Sequence, residues 1–248
     1  FREHFADNLY TGEADVQLLA DATDPNMATS QINYAKQTIR AAMLEEQSGQ
    51  SSGNVTGQSG MGTMNIDIKL LYNPQMKSAY NFVPGVMGLI MMLICAMMTS
   101  ISIVREKEMG TMEILLVSPI RPIFVILSKV VPYFVLSFIN LITILLLSVF
   151  VLDVPIVGSL FWLITLSLLF IFVALSLGVL ISSIAQTQVA AMLGSGLILM
   201  MPTVLLSGMI FPIESMPPIL QWISSIIPAR WYIDIVKRIM IQGVDAVA

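Results

Sequence analysis

Arg105-Glu106-Lys107-Glu108-Met109-Gly110-Thr111-Met112-Glu113-Ile114-Leu115-Leu116-Val117-Ser118-Pro119-Ile120 is a concentrated polar run set between two long apolar stretches. From Phe82 to Phe211 the other charges are Arg121, Lys129 and Asp153. The whole chain is 56% hydrophobic and 11% charged, over 248 residues. A soluble domain carries about 25% charged residues, so this composition is that of a membrane protein with one polar handle. The net charge of −4 says little, because the charges are segregated along the chain.

Four stretches have the length and apolarity to cross a hydrocarbon core of about 30 Å, which takes about 20 helical residues. They are Phe82–Val104, roughly Val130–Leu152, Leu160–Ile184 and Val189–Phe211. Helices are expected, since backbone polar groups in lipid must be satisfied within the segment. Pro132 and Pro202 are expected to kink their helices or mark their ends. Arg105, Lys107, Arg121 and Lys129 place the first connecting loop on the cytoplasmic side by the positive-inside rule. Asp153-Val154-Pro155 then lies outside, Ser182–Gln188 inside, and everything after Phe211 outside, together with residues 1–78. Arg230, Lys237 and Arg238 run against this assignment.

Residues 1–78 read as a small α/β domain, incomplete on its own. Val16–Ala20 is a candidate strand. Asp24-Pro25 is a helix start, with Asp as N-cap and Pro at the first helical position. The helix is expected to reach about Gln47, with Ile32, Ala35, Ile39, Ala42 and Met43 at helical spacing. Ser48–Gly62 reads as a Gly/Ser/Gln loop. Met64, Ile66, Ile68 and Leu70 alternate with polar residues, as in a half-buried strand.

After Phe211, Ile219–Ile227 is short, apolar and bracketed by prolines. It reads as an interfacial or re-entrant helix with Trp222 and Trp231 at headgroup level. Trp231–Gln242 is expected to be a second amphipathic helix leading into a further span. The fold class is therefore a membrane all-α bundle with a small extracytoplasmic α/β domain. Residues 79–248 form the membrane domain, with a cytoplasmic helix at 105–120 and an outer re-entrant or amphipathic region at 212–242. No initiator Met opens the chain, and it is expected to be a piece of a longer protein.

The charged run has two readings. It is either a loop that fixes topology or a short surface helix that passes force to a soluble partner. Gly110-Thr111-Met112-Glu113 has the character of a helix start, with Thr111 as cap and acidic charge near the positive end. Ile114–Val117 would give that helix an apolar face before Ser118-Pro119. Asn140, with Ser137 and Thr143, either hydrogen-bonds between helices or lines a substrate path. Gly194-Ser195-Gly196 offers close helix approach or a flexing point. Met87, Met91, Met92, Met97, Met98, Met200 and Met201 are packing or a pliable surface for varied apolar molecules. The Gly49–Gly62 stretch lacks the Gly-Lys-Ser/Thr of a phosphate-cradling loop. His4 is the sole histidine and Cys95 the sole cysteine, and neither has metal-ligand spacing. With no such constellation, no catalytic, metal or cofactor site is expected on the chain. Nothing points to nucleic acid, and no charge interior to the spans points to an ion relay.

The run Arg105–Ile120 resembles the signature of the ATP-binding-cassette type-2 exporter permeases, a Glu-Lys-Glu-x-Gly-Thr-Leu-Glu-x-Leu-Leu-Val-Thr-Pro pattern. Met112 here stands for Leu and Ser118 for Thr. Phe211–Pro217 followed by Ile227–Tyr232 is similar to the outer loop before the last span of these permeases. Leu18–Asn26 is similar to the extracytoplasmic domain of the subgroup with a long first outer loop. The resemblance implies six spans, of which the first and last are missing here. It implies a multi-pass protein of a bacterial-type plasma (inner) membrane that pairs with a second permease chain, alike or different. It also implies docking to a separate ATPase subunit, which would hold ATP and Mg. Coupling would fall to Arg105, Glu106, Lys107, Glu108, Gly110, Thr111, Glu113, Leu115, Leu116, Ser118 and Pro119. Glu106, Glu108 and Glu113 would meet basic groups of the ATPase. Asn140, Thr143 and Met200 would line the path or pack the bundle, and Phe211, Pro212, Trp222 and Pro228 would gate release. The cargo would be apolar or amphiphilic, such as a drug or lipid. The competing readings are a non-transport membrane protein whose outer domain binds an envelope partner, and an ion-coupled transporter.

Overall fold

The computed structural model describes residues 15–50, 65–112, 114 and 121–243, which divide into two units, Phe1–Ser78 and Ala79–Ala248. In the first unit, strand β1 (Asp15–Asp21), helix α1 (Pro25–Gln50) and strand β2 (Asn65–Leu71) follow one another. The strands pair in parallel, from Asp15 opposite Asn65 to Asp21 opposite Leu71. A parallel pair needs a crossover, and α1 provides it. Asp24 caps α1 as its sequence implies: its Oδ1 accepts from the amides of Asn26 at 3.0 Å and Met27 at 3.4 Å. Ala20, Ala22, Ala28 and Ile32 make the small core. The helical stripe loses cover toward its C-terminal half, where Ala42 is exposed. Ser48, Gly49 and Gln50 belong to α1, and the rest of the expected loop lies outside the described residues, as does His4.

The second unit contains four helices long and apolar enough to cross a membrane: α2 (Ala79–Glu108), α3 (Pro122–Phe150), α4 (Leu160–Ile184) and α5 (Gln188–Leu206). Two short helices follow, α6 (Pro218–Ile226) and α7 (Pro228–Lys237), the latter running into a π-helical turn, Arg238–Gln242. The fold class is thus a membrane helical bundle with a small α/β piece. Helix α2 is the hub: it packs on α3, α4, α5 and α7, and most extensively on α4. Its Met87, Met91, Met92, Cys95 and Ala96 join Leu163, Phe170, Ile171 and Leu175 of α4 in the central core. The closest approach is at Gly178, where an added Cβ would lie 2.5 Å from the Ala96 carbonyl oxygen. No side chain fits there.

Several boundaries differ from the sequence reading. Helix α2 runs through Glu108 rather than ending at Val104, because charges in the last turn reach partners beyond the apolar layer. Helix α3 starts at Pro122, eight residues before Val130, with Pro at its first position. Pro132 and Pro202 both lie inside their helices and end neither. Helix α5 stops at Leu206, since Gly208 turns the chain with φ +81. The Gly194-Ser195-Gly196 triplet is not a point of tight approach: a Cβ at Gly194 would meet Ile181 at 3.9 Å, an ordinary contact.

Trp231–Gln242 is amphipathic as its sequence implies: Trp231, Asp234 and Arg238 are exposed, while Tyr232, Ile233, Val236, Ile239, Met240 and Ile241 are buried. Ile233 packs where Gly88 leaves room on α2. The Tyr232 ring stacks on Phe170 of α4 with centroids 4.0 Å apart, and its hydroxyl lies 2.9 Å from Ser167 Oγ. The π-turn is fastened to the α3–α4 connection by Val157 N–H to Met240 C=O and Gly158 N–H to Ile239 C=O, both at 3.0 Å. Helix α6, by contrast, leaves Ile219, Trp222 and Ile226 exposed.

Candidate functional site

The charged run closes one end of the four-helix bundle, and its first residues are the last turn of α2. Met109 N–H bonds to Arg105 C=O at 3.0 Å and Gly110 N–H to Lys107 C=O at 3.1 Å. Gly110 has φ +73 with open space around it, so backbone conformation alone calls for glycine. The expected continuous helix over 105–120 is therefore divided at Met109-Gly110. Helical geometry resumes at Thr111-Met112 and again at Ile114. Glu113, Leu115, Leu116, Ser118 and Pro119 lie outside the described residues.

Thr111 faces backward across this turn. Its hydroxyl donates to Glu106 Oε2 at 2.5 Å, with the Glu106 carbonyl 3.1 Å away. That places Thr111 as a link between the returning segment and the end of α2. The expected helix at 111–117, which Thr111 would cap, lies mostly outside the described residues. The other Glu106 oxygen, Oε1, is 2.6 Å from Lys129 Nζ of α3. Lys107 donates through Nζ to the main-chain carbonyl of Ser182, in the last turn of α4. Glu108 Oε2 accepts from the Gln188 amide at 3.1 Å and from Gln188 Nε2 at 2.9 Å, at the first residue of α5. Each charge matches the helix end it meets. A cation sits at the negative C-terminal end of α4, and a carboxylate at the positive N-terminal end of α5. Arg105 points outward and is exposed.

Beyond these ties, Glu106, Thr111, Ile114, Phe124, Val125, Ser128 and Lys129 line a groove of about 530 Å³. Ile114 is 73% exposed and Phe124 59%. This end thus offers an apolar notch with a charged floor.

The other expected site residues do not form one cluster. Asn140 and Thr143 stand on α3 and Met200 on α5, and these helices pack on α2 rather than on each other. Interhelical pairing falls to Ser137, whose Oγ lies 3.0 Å from Cys95 Sγ. Thr143 bonds its own helix at Ile139 C=O, 2.9 Å away. Asn140 Nδ2 is buried without a hydrogen-bond partner among the described residues. Met87, Met91 and Met92 are core residues, whereas Met98, Met200 and Met201 are exposed. Met200 and Met201 line an apolar groove of about 500 Å³ with Met97, Met192 and Leu197.

At the opposite end, Phe211 and Pro217 border an apolar cleft of about 580 Å³ between α5 and α6. Pro212 is half-buried beside Phe211, Trp222 faces away on the exposed side of α6, and Pro228 opens α7. Arg230, whose position ran against the charge rule, donates to the Gln221 carbonyl and Ser224 Oγ at 3.2 Å each and lies over the Trp231 ring. It closes the C-terminal end of α6. The ties to Ser182 and Gln188, and the Tyr232–Ser167 pair, were not read from the sequence. Their partners lie 65 to 80 residues away, and polar residues at helix ends were the one signal available.

Comparison with known proteins agrees with the signature. Residues 1–248 match the family described as ABC-2 family transporter protein. The chain is 33% identical over 230 residues to "Probable multidrug ABC transporter permease YbhS" of Escherichia coli, covering 93% of this chain and 59% of that protein. It is 30% identical over 229 residues to "Probable multidrug ABC transporter permease YbhR" of the same organism, covering 92% and 60%. It is 27% identical over 206 residues to "ABC transporter G family member 20" of Dictyostelium discoideum, covering 82% and 28%. The chain thus spans about three-fifths of the bacterial relatives it matches, and no solved structure matches it. With four membrane-length helices, the signature run at one bundle end and a family match over its whole length, the chain belongs to the ABC-2 family of transporter proteins.

Proposed function

We propose that this chain is the membrane part of an ATP-driven exporter permease, worked by a separate ATPase subunit that docks at the charged end of the bundle. The observation that carries the reading is the geometry of that end. A glycine turn at Gly110 sends the chain back across the end of α2, Ile114 is exposed, and the notch beside Phe124 and Lys129 is open. In this reading the Arg105–Lys129 end faces the cytoplasm, as the basic residues imply. Residues 1–78 and α6–α7 then face the outside. ATP and Mg bind the partner chain.

Two permease chains pair in this account. The Met97–Met200 groove on α2 and α5 is the surface that supports it, since α5 is mostly uncovered within one chain. Methionines adapt to varied apolar shapes, which suits an apolar or amphiphilic cargo. The printed names of the bacterial relatives, as multidrug permeases, point the same way. Among the described spans, charges stand at the ends and not in the interior, which gives ion coupling little to work with.

The test is co-purification of the full-length protein from its own membrane in mild detergent, with ATPase activity assayed on the eluate. The expected result is an associated ATPase that is lost in Ile114→Asp or Glu113→Arg. Retention of full activity in both variants contradicts docking at this end. Absence of any ATPase from the wild-type preparation contradicts the function.

A further inference from the structure

We propose that Glu106, Lys107 and Glu108 are an internal clasp of the bundle, one that releases when the neighbouring segment is displaced, and that their role is to hold α3, α4 and α5 rather than to grip the ATPase. The inference rests on the ATPase reading above and deepens it, by separating the residues that receive the force from those that yield to it.

Three consecutive side chains of α2 reach three different helices: Glu106 to Lys129 of α3, Lys107 to the Ser182 carbonyl of α4, and Glu108 to Gln188 of α5. Three successive positions of a helix fan over most of its circumference, so α2 can hold all three neighbours from one turn. Both oxygens of Glu106 are engaged within the chain, Oε1 by Lys129 and Oε2 by Thr111, and Glu108 receives both the amide and the side chain of Gln188 on Oε2. Thr111 supplies the trigger: it bonds Glu106 directly across the Gly110 turn, so any displacement of Thr111 pulls on the carboxylate that holds α3.

The clasp is built to open. Glu106 and Lys129 keep 25% and 31% of their side-chain surface exposed, and Glu108 is exposed. Water can replace the Glu106 and Glu108 bonds as they break, so their release costs little, unlike rupture of a buried pair. The remaining α2 contacts, at Gly178 and around Tyr232, are close-packed and offer no such exchange.

The test uses the full-length permease with its ATPase in lipid vesicles, and carries Glu108→Cys with Gln188→Cys. A short thiol-to-thiol cross-linker is applied without nucleotide, then with Mg-ATP and vanadate. The expected result is efficient cross-linking without nucleotide and loss of it in the trapped state. The pre-formed cross-link should leave the ATPase bound but abolish ATP turnover, and cleavage of the link should restore it. Cross-linking that is indifferent to nucleotide, with unimpaired turnover in the linked protein, overturns the clasp while leaving the exporter reading intact. A wild-type preparation without bound ATPase overturns both. Should the cysteine pair fail to fold, the charge exchange decides. Glu106→Lys should lower ATP turnover with the ATPase still bound, and adding Lys129→Glu should restore it. Failure of the exchange to restore turnover counts against the clasp.

Discussion

At one end of the bundle, Glu106, Lys107 and Glu108 reach the neighbouring helices through one or two hydrogen bonds each, from exposed or half-exposed side chains. At the other, Tyr232, Ile233 and Val236 are buried between α2 and α4, and paired backbone bonds fasten Val157 and Gly158 to the π-turn. The first end is held by contacts that water can replace, the second by packing that it cannot. On the proposed clasp, the bundle opens at the charged end and pivots at the packed one. That division of labour suits a device pushed from one side.

The largest expected effect of substitution is at the packed end. Tyr232→Ala removes a stacked ring and a hydroxyl partner, and should cost about 3–5 kcal/mol. Tyr232→Phe keeps the ring and should cost about 0.5–1.5 kcal/mol. Thermal unfolding of the detergent-solubilised full-length protein separates the two, and equal losses would deny the stack its role. Next comes Gly178→Ala, whose methyl group meets the Ala96 backbone and should cost about 1–3 kcal/mol. The same change at Gly194 should be almost neutral, because its Cβ has room. A reversed order of the pair would mean that α2 and α4 are not in the register described.

Glu108→Ala should leave stability almost unchanged, since an exposed tie is worth little. Its mark should appear instead as altered ATP turnover in the assembled transporter. A large stability loss without change in turnover would make the charged end a structural lock rather than a release. The smallest effect is expected at Trp222→Ala. That side chain is 79% exposed on α6, so unfolding in detergent should shift by less than about 0.5 kcal/mol. A larger shift would mean that α6 is packed against a surface these residues do not provide.

How far the fold was legible depended on what bounded each segment. Helix α4 was read at Leu160–Ile184 and occupies those residues, because polar and turn-forming residues flank an unbroken apolar run. Helix α2 was cut short at Val104, because hydropathy stops where charge begins, whereas a helix continues as long as its last turn finds partners. Asp24 was read correctly as a cap, since capping is local and its partners lie two and three residues on. The two faces of helix α7 are legible in its amphipathic pattern, but what its apolar face packs against is not, since the space left by Gly88 and the ring of Phe170 lie far away along the chain. The same applies to the site. The signature run points to one end of the bundle, but that Glu106 and Glu108 bond to neighbouring helices depends on Lys129 and Gln188, which the run does not contain.

The most direct test of the account is hydrogen exchange on the full-length permease with its ATPase, compared without nucleotide and trapped with Mg-ATP and vanadate. Exchange reports local opening segment by segment. The expected result is a change in protection at residues 105–112 and 187–191, with residues 228–242 unchanged. A change confined to 228–242, or an identical pattern in both states, would contradict a bundle that opens at its charged end and pivots at its packed one.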